Sequence, residues 1–208
     1  MTQETAKTPS APSNWIRSRD LDTVRIGTAW IFAVLLIMSA REYPTWPGIT
    51  LCFVGATIRL WASGYIRKDT RPAVGGPYSW VRNPLYLGTY LMAVGAALSI
   101  GNYGLTVACS IVFAVIYHFV ILKEEKKLEE IFGPAYLKYC ALVPRFFPRP
   151  WPAGRDALLE INPESSHLSY SWELSRKNKF YEAHVTWVAL IGMISLVAFL
   201  WQRFGSNA

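Results

Sequence analysis

Cysteine is scarce in this 208-residue chain, and the usual signatures of soluble cofactor and metal sites are missing altogether. Cys52, Cys109 and Cys140 stand too far apart for metal-ligand or C-x-x-C spacing, which excludes a zinc ribbon, a thioredoxin-like centre and a disulfide framework. Two of them lie in apolar runs, where a thiol packs as a small hydrophobe. No H-E-x-x-H, no P-loop and no G-x-G-x-x-G fingerprint occurs, so neither a zincin, a P-loop phosphate cradle nor a Rossmann site is expected, and no metal ligands are assigned. Heptads, repeats and nucleic-acid motifs are absent as well. Charge is also short: 17% of residues are charged against 52% hydrophobic and 14% aromatic, and the mean hydropathy is +0.20. That balance points to a membrane as solvent.

What is present is a series of apolar, nearly charge-free runs at residues 26–40, 46–65, 85–100, 105–122 and 185–201, the second interrupted by Arg59. Several fall short of the ~20 residues that fill a ~30 Å hydrocarbon core, so flanking residues must complete the spans. The expected fold class is therefore an all-α integral membrane protein with about five transmembrane helices. Four basic residues precede residue 26, four lie between Tyr65 and Pro84, and ten between Lys123 and Ala183, while the opposite side keeps Arg41 and Arg203. The positive-inside rule puts the basic side and the N-terminus in the cytoplasm and the C-terminus outside. The formal net charge of +7 then reads as topology and attraction to membrane lipids, with no nucleic acid as partner. The expected organisation is a polar, Pro/Ser-rich arm over residues 1–22, a core over 23–148, a cytoplasmic or interfacial segment over 149–183, and a last transmembrane helix and tail over 184–208.

Two polar clusters face the same side. The first, "GGPYSWVRNPLYLG" at residues 75–88, carries two glycines, two prolines, two tyrosines and an arginine between greasy runs. A connector needs no such chemistry. Read by itself, it is either a loop whose Pro84 opens a helix and whose Arg82 anchors to phosphate, or part of a site. The second, "LKEEKKLEEIFGPAYLKY", begins where the fourth span ends. Helical geometry puts Glu124, Lys127 and Leu128 on one face, so a helix continuing past the membrane can hold Glu124 or Glu125 against the protein until Phe132-Gly133-Pro134 stops it. A solvated helix with compensating Glu/Lys pairs reads the same charge pattern equally simply.

Taken in order, "GGPYSWVRNPLYLG", two apolar runs joined by "GNYG", and "EEKKLEEIFGPAYLKYCALVPRFFP" resemble the isoprenylcysteine carboxyl methyltransferase and phospholipid methyltransferase superfamily over residues 74–148. Its members show G-P-Y-x-x-x-R-[HN]-P-x-Y-x-G, an acidic pair, then F-G-x-x-Y-x-x-Y and V-P-R. The resemblance implies a small helical membrane enzyme that methylates a lipophilic acceptor with S-adenosylmethionine, its cofactor-binding loops and helices on the cytoplasmic side. It implies that Ala73, Val74, Gly75, Gly76, Tyr78, Arg82, Asn83, Pro84, Tyr86 and Gly88 line the cofactor pocket and that Glu124 and Glu125 form its polar head, with Arg82, Tyr86 and Glu125 as catalytic residues. The chemistry agrees: a carboxylate pairs the cofactor's ammonium, an arginine forks onto its carboxylate, and aromatic faces attract its sulfonium. Glycines at 75, 76 and 88 would allow close backbone approach to the nucleoside.

Asn83 stands where many members have histidine, so a histidine base at that place is excluded and an amide orients by hydrogen bonds instead. Eukaryotic prenylcysteine enzymes place an arginine about one turn before the acidic pair; here the turn reads "YHFVIL". The acceptor class is therefore open among a prenylcysteine-like acid, a lipid amine, a phenol and a thiol. Of the three histidines, His118, His167 and His184, His118 lies inside the fourth run and is a functional candidate for that reason. The lipophilic acceptor is expected to enter sideways, past an aromatic strip around Trp172, Phe180 and Tyr181, while the charged cofactor enters from water. Two other readings are an NADPH-dependent membrane enzyme like the sterol reductases, which resemble a longer chain with more spans, and a non-catalytic membrane protein that has kept the scaffold. Binding of S-adenosylmethionine or NADPH separates them.

Overall fold

The computed structural model describes residues 19–67, 71–164 and 168–205, and among these it is helical throughout, with no strand. The eight α-helices are α1 (Arg19–Ser39), α2 (Trp46–Ser63), α3 (Pro84–Ser99), α4 (Tyr103–Phe132), α5 (Pro134–Leu142), α6 (Arg155–Ile161), α7 (Trp172–Lys177) and α8 (Tyr181–Phe204). A 3-10 turn, Gly76–Ser79, precedes α3. Each expected apolar run is one helix: α1, α2, α3, α4 and α8. The arm expected over residues 1–22 lies mostly outside the described residues, and α1 already includes its last four positions. His167 also lies outside them.

Two of these helices are long and apolar enough to cross a bilayer unaided: α4, with 30 residues, and α8, with 24. Their most apolar stretches are only 17% buried, so Val107, Ile111, Val115 and Phe119 on α4 and Val185, Val188, Leu196 and Phe199 on α8 stand exposed. Such a surface belongs in lipid. The expected count of about five spans goes further than helix length carries, because α3 has 16 residues and is about 24 Å long, short of the ~30 Å core.

The centre of the bundle is the α2–α3 pair, and its closeness follows from small residues facing one another. Glycine at 48 meets Ser99 and Gly95, and glycine at 55 meets Gly88; a Cβ on Gly88 would sit 2.6 Å from the Gly55 carbonyl oxygen and 2.7 Å from Arg59 Cγ. Gly88 is thus required by helix packing at this interface. Gly88→Ala is expected to push the two helices apart and destabilise the protein by about 1–3 kcal/mol, the usual range for overpacking; thermal unfolding in detergent measures it, and an unchanged midpoint would contradict the tight approach. Arg59, whose stem crosses Gly88, donates from Nη1 to the Leu85 carbonyl (3.3 Å) and to Thr89 Oγ1, so an arginine within an apolar helix fastens the first turns of α3.

Helix direction alternates, and the polar ends gather. Asn178 donates from Nδ2 to the carbonyls of Ser63 (2.8 Å) and Ile66 (2.9 Å), and Ser63 shares a 2.7 Å hydroxyl bond with Ser175, which ties α7 and the turn that leads into α8 to the end of α2. At the far end the Arg41 guanidinium lies 3.9 Å over the Trp201 ring, joining the end of α1 to the end of α8. The end of α2, the start of α3, the end of α4 and α5 to α7 therefore share one end of the bundle, capped by a core of Tyr65, Val74, Tyr78, Tyr136, Tyr139, Leu158 and Ile161.

Candidate functional site

The two polar clusters, 42 residues apart in sequence, meet at Glu125. On α4 the buried positions are Phe113, Tyr117, Ile121 and Glu125, a stripe at every fourth residue that carries one carboxylate into the protein and leaves Glu124 outside it. Glu125 Oε1 accepts from Asn83 Nδ2 at 3.0 Å and its Oε2 accepts from Arg145 Nε at 2.8 Å. Arg82 Nε lies 3.3 Å from Oε1, an ion pair by distance whose N–H is not aimed for a hydrogen bond. One anion thus serves two guanidiniums and an amide, and Asn83 Nδ2 also donates to the Arg145 carbonyl at 3.0 Å. The amide at position 83 is directed to Glu125 and the Arg145 backbone.

This knot forms the back of a cleft of about 750 Å³, part of it open to solvent. Arg67, Arg71, Arg82 and Glu124 supply its charges; Tyr78, Tyr86, Phe132, Tyr136 and Tyr139 supply ring surface; Ala73, Asn83, Pro84, Leu85 and Leu128 complete the wall. Glu124 Oε2 accepts from the Tyr86 hydroxyl, so the exposed member of the acidic pair is the one presented to the cleft. Glu125, already engaged on both oxygens, stands behind the wall. Val74 is fully buried in the capping core, and Gly76, with φ +54°, carries the ring of Tyr65 2.3 Å from where a Cβ would be. Positive φ and that ring account for glycine at 76 without any ligand. Gly75 is buried beside it. Of the residues assigned by resemblance, Ala73, Tyr78, Arg82, Asn83, Pro84, Tyr86 and Glu124 share the cleft, while Val74, Gly75, Gly76, Gly88 and Glu125 support it.

Burial sets the protonation of the wall. Burial first, then the charge of Glu124, raises the Tyr78 phenol far above its ordinary value against the opposing pull of Arg59. Tyr136 is raised by burial and then by Glu125, and Tyr139 by burial and then by Tyr78. All three remain protonated across physiological pH; Tyr139 uses its proton to donate to the Tyr78 carbonyl at 2.7 Å. Burial likewise raises the Cys140 thiol, with Arg82 opposing. None of these groups is a base. His118 is on the exposed face of α4, edge-on to Phe119, away from the cleft.

Sequence reasoning missed Arg145, Tyr136, Tyr139, Arg67 and Arg71. The first three lie in "FGPAYLKY" and "VPR", motifs visible in the sequence but given no role there. Arg67 and Arg71 sit in a connector with no pattern of its own.

The phospholipid methyltransferase family matches residues 56–135, which includes the Arg82 and Glu124/Glu125 clusters. The chain is 32% identical over 148 residues to the cobalt-zinc-cadmium resistance protein CzcN of Cupriavidus metallidurans, covering 67% of this chain and 68% of that protein. It is 35% identical over 122 residues to the nickel-cobalt-cadmium resistance protein NccN of Alcaligenes xylosoxydans xylosoxydans, covering 58% of this chain and about half, 53%, of that protein. Over 81 residues it is 33% identical to the protein-S-isoprenylcysteine O-methyltransferase of Schizosaccharomyces pombe, 39% of this chain and 34% of that one. No solved structure matches it significantly. With the two polar clusters joined at one carboxylate and the family match falling across both, the chain belongs to the isoprenylcysteine carboxyl methyltransferase and phospholipid methyltransferase superfamily of membrane proteins.

Proposed function

We propose that the chain transfers a methyl group from S-adenosylmethionine to a lipophilic acceptor in the membrane, with all five apolar helices crossing the bilayer and the cleft facing the cytoplasm. The observation that carries this reading is the cleft itself, where groups of both charges and several aromatic faces converge. The lining fits a zwitterion joined to a cation and a flat base: Glu124 suits an ammonium, Arg71 and Arg82 suit a carboxylate, and Tyr78, Tyr86 and Phe132 offer faces to a sulfonium and a nucleobase. When bound, the cofactor supplies an electrophilic methyl carbon.

The chain's own residues have a limited task. Tyr86 and Glu124 hold one side of the cleft and Arg82 the other, while Leu85, Leu128 and Phe132 exclude water. Alignment and desolvation are the means of acceleration such a wall provides. Because the buried phenols of the wall stay protonated, they ask for an acceptor that is already a nucleophile on arrival, a carboxylate, a thiolate or a neutral amine, and leave Glu124 as the anionic group of the cleft.

Calorimetric titration of the purified full chain in detergent tests the reading. Saturable binding of S-adenosylmethionine, and none of NADPH, is expected. NADPH binding alone would turn the assignment to a reductase, and binding of neither to a non-catalytic scaffold.

A further inference from the structure

The segment after α5 carries a second surface that the cleft does not use. Between residues 131 and 155 there are four basic residues, Lys138, Arg145, Arg149 and Arg155, and no acidic one, the next carboxylate being Asp156 in the first turn of α6. Within it "PRFFPRPWP" sets Pro144, Pro148, Pro150 and Pro152 around three aromatic rings. Phe147 is 81% exposed and Trp151 75%. Their backbone is nonetheless fixed: Arg82 N–H donates to the Pro144 carbonyl (2.9 Å), Arg149 N–H to that of Trp80 (3.1 Å), and Ala153 N–H to that of Ser79 (2.9 Å). Arg149 Nη1 adds a 2.6 Å bond to the Leu142 carbonyl. Prolines and these bonds present two large rings rigidly to the outside, a costly exposure in water.

Depth tells what covers them. The Phe146 ring packs edge-on against Tyr90 of α3 at 5.7 Å, and Phe147 packs edge-on against Phe146 at 5.6 Å. Tyr90 lies six residues into α3 from Pro84, about 9 Å along the helix axis. The segment therefore hangs down the side of the apolar bundle, at the level where helix turns pass from polar cap to apolar shaft. Rings at that level with cations beside them suit a head-group layer of negative charge. The other aromatic strip, around Trp172 and Tyr181, differs: Glu173 and Glu182 alternate there with Arg176, Lys177 and Lys179, and Lys179 pairs with Glu182 at 3.2 Å. Its mixed charge gives it no preference for an anionic surface.

We propose that residues 144–155 are a docking surface for the anionic head groups of the leaflet at the cleft end, with Phe147 and Trp151 embedded in the interfacial layer and Arg149 and Arg155 against lipid phosphates. The inference needs no cofactor and stands apart from methyl transfer. The full chain is reconstituted into vesicles of phosphatidylcholine alone or with phosphatidylglycerol, and tryptophan emission is quenched either by brominated lipid or by aqueous acrylamide. The difference between the native chain and Trp151→Phe isolates the one indole. The Trp151 component should be quenched by brominated lipid, more strongly in anionic vesicles, and Arg155→Gln should reduce the anionic preference about fivefold. Circular dichroism checks that both variants fold. A Trp151 component open to acrylamide and indifferent to lipid composition overturns the proposal. So does one shielded equally in neutral detergent with a doubled particle mass, which would make the surface a contact between copies of the chain.

Discussion

Glu125→Gln is expected to lower the stability of the protein in detergent by about 3–5 kcal/mol, the range for breaking a buried ion pair from one side. The Glu125 side chain is 9% exposed, and so is that of Arg82. An amide keeps the shape but has one acceptor oxygen where the carboxylate has two, and its NH₂ must face a guanidinium or the Asn83 amide, all of them donors. Arg82 is then a buried cation with its anion gone. Arg145→Ala should cost far less, because the Arg145 side chain is 41% exposed and water replaces much of what its partner supplied. Thermal unfolding of the two variants in one detergent reads the difference. Equal midpoints would mean that Glu125 is solvated and the knot is not a structural element.

Glu124→Gln is expected to do the opposite: leave stability within about 0.5 kcal/mol, as surface substitutions do, and weaken S-adenosylmethionine binding tenfold to a hundredfold. Glu124 is exposed, so nothing buried depends on it, yet it is the carboxylate on the cleft wall and is oriented by the Tyr86 hydroxyl. Losing one charge-assisted hydrogen bond costs about 1.5–3 kcal/mol, which sets that range. Calorimetry on Glu124→Gln and on Tyr86→Phe, whose effect should be smaller and in the same direction, separates charge from orientation. Undiminished affinity in both variants would return Glu124 to the solvated face of α4. Two adjacent glutamates thus divide the work: one holds the wall, the other faces what the wall holds.

The period of α4 carries that division in the sequence itself. Phe113, Tyr117, Ile121 and Glu125 recur at every fourth residue, so the buried face of α4 runs straight into Glu125. Placing Glu124, Lys127 and Leu128 on one face is right as geometry, but it does not carry the apolar period of residues 113–121 forward to Glu125. The five apolar helices were legible because each run is nearly charge-free and bounded, and α4 continues past its apolar stretch to Phe132 as "FGP" requires. Arg145 was harder. It lies 20 residues from Glu125, beyond a helix and a turn, and no local period links them. The glycines show the reverse difficulty: Gly76 and Gly88 look like places for a ligand, and close approach does occur there, but the approaching groups are Tyr65, Gly55 and Arg59. Sequence tells that something must come near; only the fold says what.

The length of chain laid over residues 79–82, with Pro144, Arg149 and Ala153 bonded to it, fixes an order of assembly during synthesis. Arg82, Asn83 and Glu125 leave the ribosome first and can meet as soon as α3 and α4 lie side by side. Until Arg145 follows, the carboxylate has one guanidinium instead of two, and the strip before α3 has neither the Pro144 carbonyl nor the N–H groups of Arg149 and Ala153 to hold it. A nascent chain that ends with α5 therefore carries every residue of the cleft wall without the strap that sets its shape. The contacts that set the shape of the cleft are therefore complete only in a chain that includes residues 144–153.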